Sequence, residues 1–250
     1  AIIALAAFDK PEISKAILHY LPKLKLQARR DALSTMASRL TYASVLMAAI
    51  NKKIIDAKIL PAEIVRQLRM HNDSNINQQL DRLWGISRSS SKTKLDEIKK
   101  YKRIVGMRSN RPGNLSNGRA LFNRVCASCH KLYGMGGDIG PDITGSDRKN
   151  LHYILSNIID PNAEIPNDYR TSVIRMKDNR VMVGLIRSRE LKTITVVTPN
   201  EVITLLRNDV AKIDSQNFSI MPEGLIQVFS DQELIDLISY LEGNEQVPLP

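Results

Sequence analysis

Cysteine is nearly absent: the chain of 250 residues has two, Cys126 and Cys129. A pair that close cannot form the disulfide framework that staples small secreted domains, so the fold must rest on a hydrophobic core. Long apolar runs are missing as well, and no stretch approaches the ~20 residues that span a bilayer. No transmembrane segment is therefore expected. Aromatic residues make up only 5%, no nucleic-acid-binding motif is present, and nucleic acid is not an expected partner. Acidic residues are scarce only in the first half. Residues 1–110 hold 21 Lys and Arg against 9 Asp and Glu, whereas residues 111–250 hold 15 against 17. The basic half suits an acidic protein partner. Residues 1–8 are apolar but lack the basic n-region and cleavage pattern of a signal peptide, which reads as a processed or truncated start.

What is present is ordinary globular composition, 43% hydrophobic and 25% charged. Residues 1–85 show short amphipathic stripes at helical spacing. Pro11 stands near the start of one, with Ile13, Ala16, Ile17 and Tyr20. Leu33, Met36, Ala37 and Leu40 form a second. Thr41 is the expected cap of a third, Pro61 opens a fourth, and Asp73 or Ser74 opens a fifth that Gly85 stops. Stacked helical hairpins of HEAT type over residues 1–88 and a generic helical bundle both satisfy this pattern. Residues 89–113 read as a linker with one basic helix around Lys94 to Tyr101.

Beyond this boundary the spacing predicts a helix over residues 116–132, a Gly-rich loop from Gly134 to Gly145, and a helix over 148–159 that Asp160-Pro161-Asn162 ends. Residues 171–214 then switch from period 3.6 to period 2. Asp178-Asn179 and Pro199-Asn200 mark two hairpins, and a shorter apolar stretch follows from Val210 to Ile213. The helical period returns behind Asp231, the expected cap. The expected fold is mainly α: a HEAT-like array, then a helical domain in two parts, 114–170 and 216–243. A small antiparallel β-sheet or barrel is inserted over 171–215, and 244–250 form a tail.

Cys126-Ala127-Ser128-Cys129-His130 has the spacing of a c-type haem attachment motif. Two thiols on one turn can reach the two vinyl groups of a haem, and the adjacent histidine can then face the iron. A thioredoxin-like redox pair would want a βαβ context, and a zinc site would want further ligands, whereas His19, His71 and His152 are scattered. The helix carrying Gly118 and Phe122 has a face suited to a terminal helix carrying Tyr240 and Leu241.

Gly118-Arg119-Ala120-Leu121-Phe122, the CxxCH motif, Gly140-Pro141-Asp142-Ile143-Thr144-Gly145, Ile159-Asp160-Pro161-Asn162, Tyr169 and Ser219-Ile220-Met221-Pro222-Glu223-Gly224-Leu225 stand in this order. Together they resemble the planctomycete/verrucomicrobial-type haem-binding c-type cytochrome domain, over residues 114–243. The resemblance implies a class I cytochrome c-like fold, often preceded by HEAT-like repeats and, further upstream, a propeller that this chain does not show. It implies one covalent haem c held by Cys126 and Cys129, with His130 as proximal ligand and Pro141 orienting the imidazole. Met221 would be the distal ligand, with Met135, Met176, Met182 and His152 as rivals. Tyr169 is a candidate for the haem rim or propionates, and Asp142, Arg148, Tyr153 and Arg170 are weighed for the same role.

The implied function is one-electron transfer, not catalysis, between a redox partner, acidic or a dehydrogenase, and an acceptor. It would take place in the periplasm or another extracytoplasmic space of a bacterium. Two alternatives remain open at this point. An open distal site would give small-ligand binding or a peroxidase-like enzyme. A helical-repeat interaction scaffold would use the haem as a redox sensor.

Overall fold

The computed structural model describes residues 2–250. The chain divides into two compact units, Ala1–Ser87 and Arg88–Pro250.

The first unit is helical. After a short 3₁₀ segment come α1 (Pro11–Tyr20), α2 (Leu26–Ala37), α3 (Leu40–Asn51), α4 (Ala62–Arg69) and α5 (Ser74–Leu83), and the unit ends on an extended segment, β1 (Gly85–Ser87). Pro11 sits in the first turn of α1, where its missing N–H is no loss. Asp73 caps α5 by accepting from the Ile76 N–H. Thr41 does not cap α3. The helix already starts at Leu40 behind Arg39, and the Thr41 hydroxyl donates instead to Asp9 at 2.8 Å. The apolar stripes converge on one core that includes Leu33, Met36, Leu46, Met47, Leu68 and Leu80. Trp84 closes it, and its buried indole N–H donates to the Leu60 carbonyl at 2.8 Å.

In the second unit, α6 (Lys92–Gly106), α7 (Leu115–Val125), α8 (Leu151–Ile159) and α9 (Asp231–Leu241) share a core. Ile98, Tyr101 and Val105 of α6 are buried in it, so the segment 89–113 is a packed part of this unit as well as a connector. Lys92, Lys99, Lys100 and Arg103 of α6 are exposed, whereas Lys94 and Lys102 are half-buried. Gly118 lets α7 and α9 approach at backbone distance: a Cβ there would stand 2.1 Å from the Asp236 carbonyl oxygen. Phe122 and Tyr240 meet across the same crossing, ring centroids 5.7 Å apart. The cap of α9 is Ser230, one residue before Asp231. Ser230 and Glu233 form a reciprocal capping box, which satisfies two backbone donors at once and displaces the single-residue cap.

The chain leaves α8 through buried Asp160 and a short strand, β4 (Glu164–Pro166), into five strands: β5 (Arg170–Met176), β6 (Val181–Arg189), β7 (Thr193–Val197), β8 (Val202–Leu206) and β9 (Val210–Ser219). They form one antiparallel sheet in the order β8-β7-β6-β5-β9, around a small core of Ile174, Met176, Ile194, Val196 and Leu205. Strand β9 runs to Ser219, well past Ile213, because it pairs along β5 as far as Arg170. The described chain is therefore mainly α with a small β part, and the five-stranded sheet lies entirely in the second unit. No helix among the described residues is long and apolar enough to cross a membrane.

One ion pair holds the exit from α8. The Asp160 side chain is fully buried and accepts two hydrogen bonds from Arg88, at 2.8 and 3.0 Å. Removing one partner of such a pair strands a buried charge. Arg88 is half exposed, which screens the pair. Arg88→Ala should cost about 2 kcal/mol. The urea midpoint should fall at an unchanged slope, and an unchanged midpoint would refute this reading.

Candidate functional site

The site grows out of the end of α7. The helix stops at Val125 and does not continue to residue 132. The N–H groups of Cys126 and Ala127 both go to the Phe122 carbonyl, and those of Cys129 and His130 both return to the Cys126 carbonyl. The chain thus closes into a tight turn. The carbonyls that a longer helix would use internally are taken by the Gly-rich loop: Gly137 donates to Ala127 O at 2.7 Å and Gly140 to Cys129 O at 2.8 Å. This wrapping needs glycine. A Cβ on Gly136 or Gly137 would come within 2.1 or 2.2 Å of the His130 or Ser128 carbonyl oxygen. Two short strands, β2 (Lys131–Leu132) and β3 (Met135–Gly136), close the first part of the loop.

This turn brings Cys126, Cys129, His130, Gly140 and Pro141 together. Both cysteines are free thiols and partly buried. The Pro141 carbonyl lies 3.0 Å from His130 Nδ1. That contact assigns the proton to Nδ1 and leaves Nε2 as the unprotonated nitrogen, which has no hydrogen-bond partner among the described residues. Burial lowers the His130 pKa below the usual histidine range, against the opposing pull of the Pro141 carbonyl. The imidazole is thus kept neutral, the form that ligates a metal. Burial, with Cys129 adding to it, pushes the Cys126 thiol up to about 12. A redox CxxC has its reactive cysteine lowered, so Cys126 is the opposite of a thioredoxin-type nucleophile.

Tyr169 and Met221 come from elsewhere in the chain. Tyr169 ends a 3₁₀ turn just before β5, and Arg170 beside it pairs with Ser219 at the end of β9. Both candidates therefore reach the same end of the sheet. Met221 is half buried, and its N–H donates to the Ser219 hydroxyl at 3.1 Å. The Asp160-Pro161-Asn162 motif anchors this segment: Asn162 accepts from the Ser219 N–H at 2.8 Å and donates to Glu223 at 2.7 Å. Lys94 pairs with the same Glu223 at 2.6 Å and, as the main cause, holds its carboxyl below the usual range.

The rival ligands are placed differently. Met176 is buried in the sheet core and Met182 packs against it, whereas Met135 and His152 are exposed. Asp142 accepts from the Thr144 N–H and shapes the loop. Tyr153 lies in the first turn of α8. Arg148 bonds the carbonyls of Thr144, Leu241 and Gly243 and the Tyr133 hydroxyl, so it ties the loop to the C-terminal end of α9. Two features went unnoticed in the sequence. One is the closeness of Gly140 to the His130 ring. The other is Arg187 of β6, whose guanidinium donates to the Asp138 carbonyl in the Gly-rich loop at 2.7 Å. An Arg in a strand and an Asp in a loop 49 residues apart carry no local signal of that contact.

Residues 113–178 match the family model described as cytochrome C oxidase, cbb3-type, subunit III. The second unit contains a c-type cytochrome domain. No curated protein matches the chain. The matched segment holds α7, the CxxCH turn, the Gly-rich loop, α8 and β5, while Met221 and α9 lie beyond it. A cytochrome c domain implies haem, and the residues present fit that group: two thiols one turn apart and a neutral imidazole with its Nδ1 already engaged. Among the described residues no group of three or more His, Cys, Asp or Glu converges as an alternative metal cage.

Proposed function

We propose that this protein is a monohaem c-type cytochrome that carries single electrons between a redox partner and an acceptor. The observation that carries the reading is the bond between the Pro141 carbonyl and His130 Nδ1, immediately beside two free thiols, inside the segment that matches a cytochrome family. Bound haem supplies the one-electron chemistry. The chain supplies everything else. Cys126 and Cys129 would fix the group covalently through thioethers. His130 would ligate through Nε2, while Pro141 holds the ring's rotation and tautomer. Met221 would supply the second ligand, on the segment that Asn162 and Lys94 secure. A His/Met pair favours the reduced state and raises the potential. If His130 and Met221 both held the iron, no position for a substrate would remain, and the role would be transfer rather than catalysis.

The order of Tyr169 inside the matched segment, and of Met221-Pro222 and α9 beyond it, supports the planctomycete/verrucomicrobial-type reading over 114–243. The helices of the first unit support a HEAT-like array offering a partner surface. Their excess of Lys and Arg favours an acidic redox protein, such as a dehydrogenase. Covalent attachment at CxxCH takes place outside the bacterial cytoplasm, which supports a location in the periplasm or another extracytoplasmic space.

The test is an absorption spectrum of chain produced in a host with intact cytochrome maturation. Dithionite should bring up sharp low-spin α and β bands, and the oxidised form should show the weak far-red band of methionine ligation. Met221→Ala should retain the haem and turn high-spin. A Cys126→Ser, Cys129→Ser double variant should lose it on acid extraction. Absence of haem from the wild-type chain would refute the proposal. A high-spin wild type that binds carbon monoxide would replace it with a ligand-binding role.

A further inference from the structure

The β-sheet carries a second candidate site. A cavity of about 250 Å³ opens at the end of the sheet where β5, β6 and β9 meet. Its wall holds three arginines, Arg170, Arg187 and Arg189, and three serines, Ser172, Ser188 and Ser215. Two irregularities in the ladder create it. The β6–β7 register shifts between Ile186 and Ser188, so an extra residue is accommodated at Arg187. The β5–β9 register shifts between Arg170 and Ser172, which leaves residues 216–218 of β9 without partners on β5. Bulges of this kind re-aim side chains and open a sheet locally.

The charge in the cavity is not balanced from within. Arg170 is held by three neutral oxygens, the Gln216 carbonyl at 3.2 Å and the side-chain oxygens of Asn217 and Asn167 at 2.9 and 3.4 Å. These bonds fix the guanidinium without neutralising it. Arg187 donates to the Asp138 carbonyl, and its contact with the exposed Asp138 carboxylate is a long 3.5 Å. The Arg189 side chain, unlike its backbone, which pairs with Ile194 of β7, has no hydrogen bond or ion pair among the described residues. Asp168 is the one carboxylate in the wall. Ser172, only 3% exposed, stands opposite Ser215 on the neighbouring strand and lines the floor with hydroxyls. Three guanidinium forks, those of Arg170 and Arg187 held in place, beside the hydroxyls of Ser172 and Ser215, form the recognition chemistry of an oxyanion; the Ser188 hydroxyl is taken by Thr195 at 3.1 Å.

We propose that this cavity binds an oxyanion, a carboxylate or phosphate group, between Arg170, Arg187 and Arg189. The volume admits the group and part of the molecule that bears it. The anion would draw the three cations together and, through Arg187, stiffen the Gly-rich loop that carries Pro141. Two sources supply this chemistry: a small free anion, or a carboxylate of the haem.

The experiment titrates inorganic phosphate into the full-length, haem-loaded chain by calorimetry, at constant ionic strength. The wild type should bind with a saturating heat. Arg189→Gln and Arg170→Gln should each weaken binding about tenfold. Arg180→Gln, which removes a cation paired with Asp178 beyond the opposite end of β6, should not. The Arg189 guanidinium makes no bond within the fold, and the Gln variant leaves the backbone pairing with Ile194 intact, so it tests charge without testing folding. If no phosphate binds, but the same two variants lower the midpoint potential and Arg180→Gln does not, the oxyanion belongs to the haem. Phosphate binding indifferent to both variants would overturn the proposal. So would no phosphate binding together with no shift in potential. The phosphate arm needs no haem signal, so it is read separately from the cytochrome proposal.

Discussion

Gly140→Ala is expected to cost the protein its low-spin haem spectrum while leaving most of the helical signal. A Cβ at this position would stand 2.7 Å from His130 Cε1, 2.9 Å from Nδ1 and 3.1 Å from Nε2. Side chains at the tip of a flexible chain move away from such contacts cheaply. The His130 ring is not free to do so. The next residue, Pro141, holds Nδ1 at 3.0 Å, and the Gly140 N–H is itself bonded to the Cys129 carbonyl. Ring and loop are locked together from both sides, so a methyl group forces them apart and breaks the bond that orients the imidazole. Overpacking of this kind costs about 1–3 kcal/mol, and here it acts on the proposed ligand. The check is the spectrum of the purified variant beside its far-ultraviolet circular dichroism. A wild-type spectrum with wild-type haem content would show that the Gly140 contact is not what positions His130.

Gly118→Val is expected to destabilise the second unit more than any other single substitution considered. Its Cβ would lie 2.1 Å from the Asp236 carbonyl oxygen and 2.6 Å from the Tyr240 Cβ. The first contact is with backbone inside α9, where no rotamer change gives relief. The whole helix would have to move, and α9 buries Leu234, Ile235, Leu237, Ile238, Tyr240 and Leu241. The buried Asp236 carboxylate, which accepts from the Asn114 N–H at 2.8 Å, would shift with it. A cost of about 3 kcal/mol or more corresponds to a fall of roughly 10 °C in the melting temperature of a unit this size. Gly106→Ala provides the contrast. Gly106 has helical dihedrals at the end of α6, and a Cβ there would meet nothing within 4 Å. Alanine at that position should raise stability by about 0.5–1 kcal/mol. Equal melting temperatures for Gly118→Val and wild type would refute the close crossing of α7 and α9.

Much of the local structure was legible in the chain itself. Spacing of apolar residues located the helices of the first unit, and turn residues at Asp178-Asn179 and Pro199-Asn200 located the hairpins, because both signals depend on near neighbours. Errors fell where two local solutions competed. Thr41 and Asp231 both have capping side chains, but Arg39 and Ser230 occupy the cap positions, and the choice depended on where the helix packed. The helix expected through residue 132 stops at Val125 because glycines far ahead of it take over its carbonyls.

The chemistry on offer is written in the residues alone. Two cysteines and a histidine in five residues, followed by Gly140-Pro141, define the donor set, and covalent spacing along one turn is a local property. How those groups are held emerges only from the packed fold. It put the Pro141 carbonyl on His130, Asn162 on the Met221 segment, α6 in the core of the second unit, and Arg187 on the Gly-rich loop. Each of these joins residues from separate elements or from opposite ends of a loop. Their distance in space follows from packing and register, which no spacing along the chain encodes.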